Sequence, residues 1–164
     1  MINPSGASLA MDAEGNQVLA LRRCAERELD LLEPRSALAR SLVVATYGGE
    51  VLLVHNSWRL HWELPGGLLG PGESARHAAE RAFFEETGLG SPALEFLAVV
   101  TFELVPDRRR EYAAAFLAPL DRRPEVGAFL PNEEIGGLRW WDLKEELPDS
   151  ADLDLWIAEH ALGR

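Results

Sequence analysis

Apolar residues recur every three or four positions between Val18 and Leu32: Val18, Leu21, Ala25, Leu29, Leu32. That spacing predicts a helix over residues 16–34 with one buried stripe, ended by Pro34. The stripe is expected to pack on the protein's own core; the alternative use is a homodimer contact. Residues 1–15 are small and polar and read as a mobile N-terminus. β-rich runs at 41–47 and 51–55, separated by Gly48-Gly49, predict a hairpin. Residues 62–64 are extended and run into Pro65, Gly66 and Gly67, which force a turn. Ser74 is an N-cap for a helix over 75–87, and Gly88 is its stop. Strands are expected at 94–105 and 111–117 around the charged turn 106–110. A loop follows over 119–131, then a strand at 138–142 and a helix at 151–162. This order predicts an α/β (α+β) fold, a mixed β-sheet sandwiched between helices, with 35–164 as one domain.

Composition narrows the function. Of 164 residues, 47% are hydrophobic and 26% charged, enough for one sizeable core. A formal net charge of −11 argues against nucleic acid as a partner, since binding it needs clustered Lys and Arg. The same charge repels a phosphate-bearing small molecule unless divalent cations or local arginines hold it. Cys24 is the single cysteine, so neither an intrachain disulfide nor a cysteine metal cluster is expected, and a reducing cytoplasm is the simplest setting. The N-terminus lacks the pattern of a signal peptide, and no apolar run approaches a membrane span of about 20 residues.

The chemistry lies in residues 67–89, GLLGPGESARHAAERAFFEETGL. A glycine-rich loop lets the backbone approach a ligand, and the helix after it sets positions 82, 85 and 86 on one face. Arg81 and Glu85 are four apart and can pair. The oxygen-seeking ions Mg²⁺ and Mn²⁺ need clustered carboxylates such as those at 85 and 86. The segment resembles the Nudix box: G, five residues, E, seven residues, R-E-U-x-E-E-x-G-U, with U a bulky apolar residue. Gly67, Glu73, Arg81, Phe83, Glu85, Glu86, Gly88 and Leu89 fall in register, and the lead-in W-E-L-P-G-G agrees. With a Glu-Glu-Ile then Leu-Arg-Trp pattern near the C-terminus, the resemblance covers roughly residues 36–145.

The resemblance implies metal-dependent hydrolysis of the pyrophosphate linkage in a nucleoside diphosphate joined to another moiety X, with Mg²⁺ or Mn²⁺ as cofactor and a nucleotide-type small molecule as partner. It implies that Glu85 and Glu86 are metal ligands, that the carbonyl of Gly66 or Gly67 joins them, and that Glu73 and Arg81 hold loop and helix together. Ala82 departs from the pattern, standing where the family has a glutamate that binds metal or assists the attacking water. Glu80 cannot replace it, because two positions along a helix point nearly opposite ways. A carboxylate from outside the box is therefore expected, from Glu103, Glu111, Glu133 or Glu134, with Glu133 and Glu134 preferred. The alternative is a weakly active or inactive domain that binds a nucleotide or a protein partner. Ahead of the box, Trp58 and Trp62 could stack a base or simply pack, Arg59 could meet a phosphate, and His61 lies between them. Arg108, Arg109 and Arg110 read as a solvated turn or a phosphate clamp. Trp140 and Trp141 face opposite ways on a strand, so at least one is core.

Overall fold

The computed structural model describes residues 7–90 and 93–163. Nine strands form one mixed sheet: β1 (Ala10–Met11), β2 (Gln17–Arg22), β3 (Leu38–Tyr47), β4 (Glu50–Asn56), β5 (His61–Glu63), β6 (Gly66–Leu68), β7 (Glu95–Leu104), β8 (Arg109–Pro119) and β9 (Ile135–Trp141). The main order is β1-β2-β7-β8-β3-β4-β5, with β6 on β3 and β9 on β4. Only the β3–β8 pairing among these strands is parallel. Helix α1 (Ala75–Thr87) covers one face and α2 (Asp152–Ala161) the other. No described helix is long and apolar enough to cross a membrane.

Alternation along β3 builds both cores. Leu42 and Val44 join β2, β7, Trp141, Leu153 and Ile157 on the α2 side. Val43 and Ala45 join Ala79, Phe83, Phe116 and Trp140 on the α1 side. Both tryptophans of the pair are thus core, one on each face, as period-two side-chain geometry requires. Ser74 Oγ accepts the His77 N–H at 3.1 Å, and Gly88, at φ +72°, ends α1 by donating to the Phe84 carbonyl.

The expected helix over 16–34 does not form. Val18 and Leu21 lie on β2, and residues 26–31 make a 3₁₀ turn. The three-residue apolar spacing has two local causes. Between Val18 and Ala20 the β2–β7 register slips, so an extra residue bulges out and Val18 and Leu21 both face inward. Leu29 and Leu32, also three apart, are both buried at the 3₁₀ turn, whose period is three. The stripe therefore packs on the protein's own core. The mobile N-terminus expected over 1–15 is corrected at Ala10 and Met11, which pair with Val18 and Gln17; residues 1–6 lie outside the described residues.

Leu21 is 1% exposed, whereas Leu31 on the outside of the 3₁₀ turn is 74% exposed. Leu21→Ala should lower unfolding free energy by about 2–5 kcal/mol in a urea titration. Leu31→Ala should stay within about 0.5 kcal/mol of the parent. Equal losses would contradict the bulged-strand register.

Candidate active site

Strand β6 lies antiparallel to β3, with Gly66 opposite Leu42, Gly67 opposite Ser41 and Leu68 opposite Arg40. A side chain on Gly66 would collide with the Ser41 carbonyl, so only glycine fits there. A Cβ on Gly67 would stand 3.1 Å from the Ala82 Cβ, so the strand also lies tight against α1. Ser41 is fully buried and its hydroxyl donates to the Ala75 carbonyl at 2.6 Å, tying the first turn of α1 to the same strand.

The loop between β6 and α1 is held by one ion pair. Arg81 Nε and Nη2 each donate to a different Glu73 oxygen at 2.9 Å, and Nη2 also donates to the Leu68 carbonyl at 2.9 Å. Glu73 further accepts the Gly70 N–H at 2.9 Å. The Arg81 hydrogen bonds, then that of Gly70, hold the Glu73 carboxyl down at about 2. A third Arg81 nitrogen reaches Glu85 at 3.2 Å.

Glu86, one residue on, is 4% exposed and its Oε1 accepts the Gly66 N–H at 3.0 Å. Burial raises its carboxyl to about 8 against the help of that N–H; the charges of Glu134 and Glu63 raise it further and Arg59 opposes them. Glu85 by contrast points largely to solvent.

Glu85, Glu86, Gly66, Gly67 and Ala82 line one side of a cavity of about 860 Å³. Arg59, His61 and Glu63 line it from β5 and the turn before β5, and Glu134 from the loop before β9. Arg40, Phe102 and Leu104 come from the sheet, Asp12, Glu14 and Asn16 from the β1–β2 turn, and Asp152 and Asp154 from α2. Glu63 is buried and saturated: Arg59 binds both of its oxygens, at 2.8 and 3.1 Å, His61 Nε2 lies 2.8 Å away and Asn56 donates at 3.0 Å. Asp154 accepts the Leu64 N–H at 3.0 Å. Desolvation and then the charge of Glu63 push its carboxyl up to about 6.

The fold thus gathers Glu85, Glu86, Gly67, Arg59 and Glu134 around one cavity, with the Glu73–Arg81 pair at its edge. Glu133 and Trp58, the latter at 67% exposure, are exposed and outside the lining; Trp62 is also outside it, half-buried against the core and edge-on to His55. Glu103 is paired with Arg108, and Glu111 with Arg109 and, at 3.4 Å, with Arg40; neither they nor the charged turn 106–110 line the cavity. Sequence reasoning missed Arg40, Glu63, Asp154 and the β1–β2 turn. Acidic residues set between apolar neighbours, Trp62-Glu63-Leu64 and Leu153-Asp154-Leu155, were the available signal for two of them.

Among the described residues no group of three His, Cys, Asp or Glu side chains is placed to hold a metal ion by itself. The donor set still suits Mg²⁺, which keeps several waters and takes one or two carboxylates together with substrate phosphates. A buried carboxyl facing two further negative side chains is a place where a cation relieves repulsion.

A model of the NUDIX domain matches residues 35–159. The pyrophosphohydrolase BsRppH of Bacillus subtilis superposes with TM-score 0.60 at 24% identity, over 85% of this chain and 78% of that one. A MutT NUDIX hydrolase from Burkholderia pseudomallei gives TM-score 0.60 at 20% identity, over 73% and 94%. At these identities the likeness is one of fold. A putative 8-oxo-dGTP diphosphatase of Bacillus subtilis (strain 168) is 45% identical over 47 residues, 29% of this chain and 32% of that protein. The chain thus matches about a third of that relative's length.

The raised carboxyls of Glu86 and Asp154 set a pH dependence. A group whose pKa is higher folded than unfolded favours folding while protonated, and that stabilisation is lost as pH rises through the folded value. For Glu86 the window runs from 4.5 to about 8, and for Asp154 from 3.8 to about 6. The metal-free protein should therefore melt at progressively lower temperature from pH 5 to pH 8.5. Glu86→Gln should flatten the upper part of that decline. An unchanged slope in the variant would show that Glu86 titrates normally.

Proposed function

Because this chain belongs to the NUDIX domain family, matched over residues 35–159, we propose that it hydrolyses the pyrophosphate linkage of a nucleoside diphosphate joined to another group, with Mg²⁺ or Mn²⁺. The observation that carries this reading is the buried Glu86, hydrogen-bonded to the Gly66 N–H and set beside Glu85 on the wall of a nucleotide-sized cavity. A divalent ion bound by Glu85 and Glu86 would neutralise phosphate charge and acidify water. The chain's own residues do the positioning. The Gly66 N–H fixes one Glu86 oxygen and leaves the other free. Arg81, through its bonds to Glu73, Leu68 and Glu85, keeps the carboxylate pair in register with the glycine strand.

Glu134 is the carboxylate that stands in for the glutamate absent at position 82. It lines the cavity and its charge acts on Glu86, whereas Glu133 is exposed and outside the lining. Its role is to take the proton of the attacking water. Ala82 is 2% exposed and packed against Gly67, so a longer side chain there must push into the cavity between Glu85, Glu86 and Glu134. Among substrates, 8-oxo-dGTP deserves first trial because of the relative named above, with nucleotide sugars, ADP-ribose and dinucleoside polyphosphates beside it.

Release of phosphates from this panel with Mg²⁺ or Mn²⁺ tests the reading. Glu134→Gln should lower kcat by about 10²–10⁴ on whichever compound is cleaved. Ala82→Glu should give no gain, or a loss, because it adds a fourth negative charge. A tenfold rise in the Ala82→Glu variant, with Glu134→Gln at parental rate, would instead mark a decayed hydrolase. Absence of turnover across the panel, with tight nucleotide binding, would favour a binding domain.

A further inference from the structure

The cavity lining is rich in carboxylates, yet the proposed substrate is an anion. Among the described residues its basic side chains are Arg40, Arg59, Arg81 and His61. Three of these are engaged. Arg59 chelates Glu63, His61 sits 2.8 Å from the same carboxylate, and Arg81 is spent on Glu73, Leu68 and Glu85. Arg40 differs. It makes one long hydrogen bond, Nη2 to Glu111 at 3.4 Å, and the other Glu111 oxygen is already held by Arg109 at 3.1 Å. Its Nε is buried with no hydrogen-bond partner among the described residues. That nitrogen is closed off, but the Arg40 side chain as a whole is 39% exposed, so its weakly held terminal nitrogens are the donors that a ligand in the cavity can reach.

Its placement says what kind of acceptor. Arg40 stands opposite Leu68 in the β3–β6 register, one side-chain repeat along β3 from Leu42, which faces Gly66. It therefore lines the same cavity as Glu86, from the strand that carries the glycines. Its positive charge also acts on Asp154 across the cavity, lowering that carboxyl. A guanidinium fork fits two phosphate oxygens at once, and a charge-assisted pair outcompetes a bond as long as 3.4 Å.

We propose that Arg40 is the substrate-binding residue that receives a phosphate of the diphosphate group within this cavity. This rests on the hydrolase reading for its substrate but on the cavity alone for its anion. The phosphate takes the donors that Glu111 holds weakly, so Arg40 binds and orients the diphosphate.

Calorimetry with inorganic pyrophosphate and Mg²⁺ tests this on the full chain. Parent protein should bind, Arg40→Gln at least tenfold more weakly, and Arg40→Lys in between because it keeps the charge and loses the fork. The melting temperature of Arg40→Gln should not fall below that of the parent, since the substitution removes an unpaired buried donor. On a cleaved substrate, Arg40→Gln should raise KM by a larger factor than it lowers kcat, a split that a purely structural role would not give. Equal pyrophosphate binding by parent and Arg40→Gln, or none by the parent, overturns the assignment even if the enzyme is active. Weakened binding in the variant, together with no turnover by the parent, upholds Arg40 and removes only the hydrolase reading.

Discussion

Ser41 is the point on which the site is built. It is fully buried on β3, and it fixes two elements at once. Its hydroxyl donates to the Ala75 carbonyl and so sets the start of α1. Its carbonyl is approached so closely by Gly66 that no side chain fits between them. The glycine strand and the helix are therefore registered against a single residue of the central sheet. Their mutual contact, Gly67 against Ala82 and Gly66 N–H to Glu86, follows from that registration. A polar group buried this deeply is tolerated because it is hydrogen-bonded.

On this frame the charges divide into spent and unspent ones. Glu73–Arg81 and Glu63–Arg59 are matched pairs in which several donors meet both oxygens of a carboxylate. They give shape and leave little to offer a ligand. Glu86 and Asp154 are the opposite case, acids raised by burial and held by single backbone N–H groups. Arg40 is their cationic counterpart, short of acceptors. A cavity with unsatisfied carboxylates and one underused arginine suits a divalent cation arriving with a phosphate anion, each relieving what the other cannot. The overall charge of −11 adds to the repulsion that such a cation would relieve.

The glycine-loop-helix segment was legible in the sequence because each of its residues has a local task. Ser74 caps, Gly88 stops, Glu73 and Arg81 pair, and their spacing alone carries this. The N-terminal segment was misread because a β-bulge followed by a 3₁₀ turn reproduces the three-residue period of a helix. Only the long-range pairing of β2 with β7 separates the two cases. Glu134 over Glu133 was undecidable for a similar reason, since adjacent residues differ only in which faces the cavity. Arg40 and Asp154 lie far from the box in sequence and reach the site through sheet register and the packing of α2, which spacing does not reveal.

The role proposed for Glu85 and Glu86 is to hold a divalent cation in this cavity, with Glu86 giving up its proton to do so. Titration of Mn²⁺ into the metal-free protein, followed by electron paramagnetic resonance at pH 6.5 and pH 9, addresses it directly. A buried carboxyl with its pKa at about 8 must lose a proton before it binds the ion. Mn²⁺ affinity of the parent should therefore rise by about tenfold or more between the two pH values. Glu86→Gln should bind weakly at both and show little change. Equal affinity for Mn²⁺ in parent and variant across this range would contradict the account.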